Sequence, residues 1–230
     1  MFDIAGAIET IAILAVPLLL GMTCHEVAHG YVAYLLGDPT AKAAGRLTLN
    51  PIKHLDPIGS LVFILTAITP PKYFAIGWAK PVPINPVYFK NPKKGMALCS
   101  LAGPGANFLI AVFFGLVMRL CIFFAQSKPG ELGVMILQPL LLMSQAGIVV
   151  NLALMVFNLF PIPPLDGSKV LFAFLPREIG IKYLSLQRYG FILVFALLAF
   201  GLLGKILFPA VLVLLKILLF IVGLPPEYFF

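Results

Sequence analysis

The sequence predicts an all-α polytopic membrane protein of about five to six transmembrane helices, joined in places by short membrane-associated β-like loops. Two observations carry that prediction. Of the 230 residues, 61% are hydrophobic and 11% charged, with a mean hydropathy of +1.04, whereas soluble domains run nearer half apolar and about a quarter charged. The apolar residues also fall into long stretches, and about 20 helical residues cross the roughly 30 Å of bilayer hydrocarbon. This length and composition predict one integral-membrane domain over residues 1–230, with no soluble accessory domain.

The first apolar stretch, about residues 8–36, ends at Gly37 and Pro39, which stop a helix. It lacks a basic leader and a clear small-residue cleavage site, so it is read as retained. The second, IGSLVFILTAIT at 58–69, rises only about 18 Å as a helix. It spans by recruiting flanking residues through Ile76, or else it re-enters; lysines on both flanks favour re-entry. Around it, GRLTLNPIKHLDP and YFAIGWAKPVPINPVYFKNP are rich in proline and β-formers, which predicts short strands and turns against the membrane face. The third stretch, about 96–125, follows Lys93 and Lys94 and contains AGPGANFLIAV. The fourth, about 133–160, runs into NLFPIPPLDG. The last, about 189–222, is interrupted near GLLGK and forms two segments or one broken helix.

The formal net charge is +7, from 16 Lys+Arg against 9 Asp+Glu. The basic residues cluster between apolar stretches, which suits anionic headgroups and a lipid bilayer partner. No basic stripe with stacking aromatics is present, so no nucleic-acid partner is expected. Cys24, Cys99 and Cys121 lack C-x-x-C spacing, which argues against a disulfide framework or a cysteine metal cluster.

Ionisable groups inside a membrane segment are costly and mark functional sites. The first stretch carries three of them, in HEVAH at 25–29. His25 and His29, at i and i+4, share one helix face about 5–6 Å apart at Cβ, and such a pair can hold one Zn²⁺ at about 2.0–2.1 Å. Zinc lowers the pKa of bound water toward 7 and polarises a carbonyl. Glu26 can reach that water without being a ligand, acting as general base and returning the proton to the leaving amine. The alternative is a buried hydrogen-bonded network without metal.

Catalytic zinc takes three protein ligands and a water. The extended pattern H-E-x-x-H-x-x-G-x-x-H fails, with Val32 at its glycine and Leu35 at its last histidine. His54, Asp56 and Asp166 remain as third-ligand candidates. Asp166 lies in PIPPLDG, where Pro161, Pro163 and Pro164 break a long apolar helix. Irregular backbone at membrane depth is tolerated where it lines a water-filled site. An Asp-Gly-Ser turn is equally a good N-cap for the next helix, and the residues alone leave both readings open.

HEVAHG, AGPGAN and NLFPIPPLDG, in that order and each on an apolar segment, resemble the site-2 protease family of intramembrane zinc metalloproteases. The resemblance extends through GRLTLNP and GWAKPVPINP, and it fits a minimal form without PDZ-like or nucleotide-sensing modules. It implies Asp166 as the third ligand to one catalytic Zn²⁺ beside His25 and His29, with Glu26 as catalytic base. It also implies cleavage of the transmembrane helix of a membrane-protein substrate within or near the bilayer. Asn107 then lies near the site. It either holds substrate backbone or a developing oxyanion, worth about 3–4 kcal/mol, or bonds across helices; Asn158 shares that ambiguity.

Helical peptide bonds are shielded by i→i−4 hydrogen bonds, so a substrate must first unwind. GWAKPVPINP is the candidate edge for pairing with it by strand addition, its prolines limiting that to one edge. With Asp3 and Glu9 outside, successive spans bring His25, His29 and Asp166 into the cytoplasmic half of the cell membrane. Three rival readings stand beside this one. A membrane zinc hydrolase of a lipid amide or ester uses the same metal chemistry. An ion-coupled transporter needs no bound metal. An inactive metal-binding relative is disfavoured by the intact Glu26.

Overall fold

The computed structural model describes residues 4–68, 77–127 and 130–229. Asp3, residues 69–76 (the stretch through Ile76 and part of the proline-rich segment) and residues 128–129 lie outside the described residues.

Nine α-helices are described: α1 (Ile4–Leu35), α2 (Thr40–Ala43), α3 (Pro57–Ile68), α4 (Pro92–Gln126), α5 (Glu131–Leu159), α6 (Asp166–Phe174), α7 (Arg177–Ser185), α8 (Gln187–Ala199) and α9 (Leu202–Val222). Among them α1, α4, α5 and α9 are long and apolar enough to cross a membrane. Local chemistry sets their ends. The Asn91 side chain accepts the Lys94 N–H with Pro92 in the first helical position of α4, a strong start signal. Gly201, at φ +67°, separates α8 from α9; that left-handed backbone suits glycine and makes the interrupted last stretch two helices.

The short α3 matches the second apolar stretch and rises about 18 Å, less than a span. The Asp56 carboxylate accepts the Gly59 N–H at 2.8 Å at its start. The β-like loops reduce, among the described residues, to one antiparallel bridge between Leu55 and Ala79. Lys80 N–H donates to the His54 carbonyl at 2.8 Å beside it. Pro81, Pro83 and Pro86 have no N–H to continue a ladder.

Side-chain pairs give the helix directions. Going from Gly21 to His29 along α1, the partners on α4 run backward from Asn107 to Cys99, so the two are antiparallel. Asn107 meets Asn151 of α5, and the Phe114 ring lies against Gly147, so α4 and α5 are antiparallel too. Arg119 donates to the Val222 carbonyl, while Gly115 lies near Leu218 and Val222; α9 therefore runs parallel to α4. Ala111, Phe114 and Met118, with Ile148, Leu152, Leu215, Leu218 and Val222, form a core between α4, α5 and α9. The opposite end of α4 faces α1 and α6, and there the polar residues gather.

Candidate metal centre

One face of α1 carries His25 and His29 into the interior, their rings perpendicular with centroids 4.5 Å apart. His29 Nδ1–H donates to the Cys99 carbonyl at 2.6 Å; a carbonyl can only accept, so His29 Nε2 carries the lone pair. His25 Nδ1 lies 2.6 Å from Asn107 Oδ1. That amide is oriented by its Nδ2, which donates to the Gly21 carbonyl at 3.3 Å, so His25 Nδ1 is the donor and His25 Nε2 the second lone pair.

The two Nε2 atoms stand 2.9 Å apart. Asp166 Oδ2 completes a triangle at 3.1 Å from His25 and 3.0 Å from His29. All three residues are less than a tenth exposed. With both imidazoles neutral, three buried electron-pair donors face one another, and they repel unless a cation, a metal ion or a proton, sits among them. Tetrahedral ligands around an ion at about 2.0–2.1 Å are about 3.3 Å apart, close to the observed edges. The donor set fits a divalent metal bound by two imidazoles and a carboxylate.

Asp166 reaches this position because α6 begins at it. The residue in the capping position is Leu165, and no side chain caps the helix, so the capping alternative for Asp166 fails. Gly167 lies so near the Leu159 carbonyl that a Cβ there would sit 2.1 Å from its oxygen, which holds the turn against the end of α5. Lys169, one turn on, stands 3.3 Å from Asp166 Oδ1, leaving Oδ2 to the histidines. Gly103 of α4 gives the imidazoles room: a Cβ there would lie 2.5 Å from His29 Cε1 and 2.6 Å from His25 Cε1.

Glu26 Oε2 accepts the Val82 N–H at 2.7 Å. The loop that donates is itself braced by Arg46, whose Nη2 donates to the Lys80 carbonyl at 2.6 Å. GRLTLNP therefore meets GWAKPVPINP at Lys80, two residues before the one that binds this glutamate. A cavity of about 540 Å³ takes in His25, Glu26, His29, Asn107, Lys169 and Asp166.

The five residues singled out from the sequence, His25, Glu26, His29, Asn107 and Asp166, thus share one cavity, but Asn107 departs from its oxyanion reading. Both uses of its Nδ2 are internal, to Gly21 and to Asn151 Oδ1 at 3.1 Å, and its Oδ1 is spent on His25. It is an interhelical bond and an orienting partner, not a donor facing the cavity. Asn158 Nδ2 donates to the Leu154 carbonyl within its own helix. His54 stays apart, buried with its Nε2 on the Thr48 carbonyl. Asp56 lines the cavity but caps α3. Sequence reasoning missed Asn151 and the Cys99 carbonyl, whereas Gly103 belongs to the close-packing glycines of AGPGAN. Only Asn151, a polar residue inside an apolar stretch, left a readable signal.

Long apolar helices enclosing a buried two-histidine, one-carboxylate cluster beside a glutamate define a multi-pass membrane protein with an interior metal centre. A model of peptidase family M50 matches residues 134–201. The chain is 38% identical over 198 residues to "Putative zinc metalloprotease YwhC" of Bacillus subtilis, covering 85% of this chain and 84% of that protein. It is 29% identical over 188 residues to "Putative zinc metalloprotease Rip2" of Mycolicibacterium smegmatis, covering 78% of this chain and 64% of the relative. With the Mycobacterium tuberculosis protein of that name the identity is 27% over 161 residues, 66% of this chain and 53% of the relative. No solved structure matches. The chain belongs to peptidase family M50, the site-2 protease family its motifs resemble.

Proposed function

We propose that this peptidase is an intramembrane zinc endopeptidase that cuts transmembrane segments of single-span substrates. His25, His29 and Asp166 hold one Zn²⁺, and Glu26 is the general base. One observation carries the reading: three lone-pair atoms converge at 2.9–3.1 Å in the cavity that also holds Glu26. The names of the curated relatives, zinc metalloproteases, agree with it.

Zinc bound there supplies a Lewis acid that polarises the scissile carbonyl and lowers the pKa of water. The rest falls to the chain's own residues. The Val82 N–H pins one oxygen of Glu26 and leaves the other to take a proton from the attacking water. As the oxygen–carbon bond forms and the carbon–nitrogen bond breaks, Glu26 returns that proton to the leaving amine. Lys80 and Val82 already spend their N–H groups on His54 and Glu26. The Lys80 and Pro81 carbonyls also accept from Arg46, so an unwound substrate pairing with this loop relies on its other carbonyls and on the Trp78 and Ala79 segment.

Charge supports a cytoplasmic-side site. Lys42, Lys53, Lys90, Lys93 and Lys94 follow α1 and lead into α4, while Lys169, Lys182 and Arg188 follow α5. The test uses purified protein with a single-span peptide, the products mapped by mass spectrometry. A cut inside the hydrophobic segment that vanishes in Glu26→Gln supports the proposal. A peptide left intact by the zinc-loaded protein, while a lipid amide or ester is cleaved, overturns it.

A further inference from the structure

Asn151 sits in α5 with no exposed surface and outside the cavity lining, yet it ends a chain of hydrogen bonds that begins at His25. Its Nδ2 donates to the Gly147 carbonyl at 2.9 Å and the Pro17 carbonyl at 3.4 Å. Both oxygens only accept, so the amide has one orientation. Its Oδ1 therefore accepts from Asn107 Nδ2 at 3.1 Å. The Gly21 carbonyl takes the other Asn107 proton, and Asn107 Oδ1 is left facing His25 Nδ1 at 2.6 Å. Reversing Asn151 would set its NH₂ against that of Asn107, and reversing Asn107 would set its oxygen against the Gly21 carbonyl and Asn151 Oδ1.

We propose that Asn151 is a positioning residue: through Asn107 it fixes which nitrogen of His25 carries the proton and so presents the Nε2 lone pair to the metal. Outer partners of a ligating histidine set its tautomer and ring orientation, and losing them typically weakens metal affinity or activity about 10–100-fold. The two ligand histidines differ here in a useful way. His29 ends on a backbone carbonyl, that of Cys99, whereas His25 ends on a side-chain relay two asparagines long. A general packing role for Asn151 would disturb both; a positioning role acts on His25. Gly21 belongs to the same arrangement, since a Cβ there would lie 2.2 Å from Asn151 Oδ1.

The inference rests on the metal-site reading, and the experiment separates the two. The full chain, labelled with ¹⁵N-histidine, shows three histidines, whose tautomers are read by NMR in detergent with and without Zn²⁺. Affinity for Zn²⁺ itself is measured by chelator competition. In Asn151→Leu, His25 is expected to lose its fixed Nδ1–H form while His29 and His54 keep theirs, and Zn²⁺ affinity falls about 10–100-fold. Asn151→Asp, which keeps the acceptor Asn107 needs, restores both. Gly21→Ala displaces the Asn151 side chain from the α1 side and gives the same readouts should the leucine variant not fold. An unchanged His25 tautomer and unchanged affinity in either variant overturn the relay, as does equal disturbance of His29. A wild-type chain that takes up no Zn²⁺ overturns the metal reading instead, and the metal-free tautomer of His25 still judges the relay.

Discussion

Asp166 and Glu26 are two carboxylates in one cavity, and the proposed function gives them separate tasks. Asp166 turns Oδ2 to both imidazoles; Glu26 gives an oxygen to the Val82 N–H and is no part of the three-atom cluster. Asp166→Ala is therefore expected to lose most bound zinc in metal analysis, while Glu26→Gln keeps its zinc and loses turnover. The reverse pattern would exchange their roles. Gly103 gives a sharper test. The imidazoles beside it are pinned at Nδ1 by Asn107 and Cys99, so they cannot swing away from an added methyl. Gly103→Ala should lower zinc content and also cost about 1–3 kcal/mol of stability from overpacking. Full zinc binding in that variant would show the rings free to move.

Between α1 and α4 the chain is held by polar bonds, and Asp38 is the knot. Its carboxylate accepts from the Thr40 hydroxyl, the Thr40 N–H at 2.9 Å and the Asn85 N–H at 2.7 Å. It thus fastens the far end of the loop that holds Glu26. Burial pushes the Asp38 carboxyl up, but the Thr40 hydroxyl and the Asn85 and Thr40 N–H groups outweigh it and hold it below the ordinary 3.8. The ionised form is the one the fold favours. Its contribution is present above about pH 3.8 and lost as pH falls through the lower folded value. Asp38→Asn should destabilise the protein by about 1–3 kcal/mol at pH 7, and the gap to wild type should close on acidification. A gap constant from pH 7 to pH 3 in thermal melts would refute this. Such loops also mark where sequence reading stops. The long helices were legible because 20 apolar residues have one solution in lipid, and HEVAH because its spacing fixes a shared face. The place of Asp166 beside the two histidines was not, since an Asp-Gly-Ser turn caps helices and binds metal in the same letters. The β-like loop pattern predicted strands, but Pro81, Pro83 and Pro86 leave room for a single bridge, at Leu55 and Ala79. The position of Asn107 near the histidines was legible but not its bonding, which involves Asn151, 44 positions away.

The arrangement of α1, α4 and α5 fixes where the metal centre lies relative to the two membrane faces. His25 precedes the end of α1 by ten residues, about 15 Å of helix, so the ligands sit well inside the segment, toward its C-terminal end. The antiparallel α4 begins at that same end, with Leu35, Lys90 and Lys94 around one small cavity, and α5 returns to it before Asp166. The lysines on this side are numerous, whereas the α4–α5 connection at the opposite end, SKPGE at 127–131, has a single lysine, Lys128, against Glu131. The positive-inside bias is the basis of the proposal that the ligand end is cytoplasmic. Single cysteines placed in a background lacking Cys24, Cys99 and Cys121 test this directly. In intact cells, a membrane-impermeant maleimide should label Ser127→Cys and leave Lys94→Cys and Lys182→Cys unlabelled until the membrane is opened. If Lys94→Cys and Lys182→Cys react from outside while Ser127→Cys is protected, the metal centre lies in the outer half. Substrates would then be cut near their external ends, because the same three helices that gather His25, His29 and Asp166 leave no other depth at which the ligands converge.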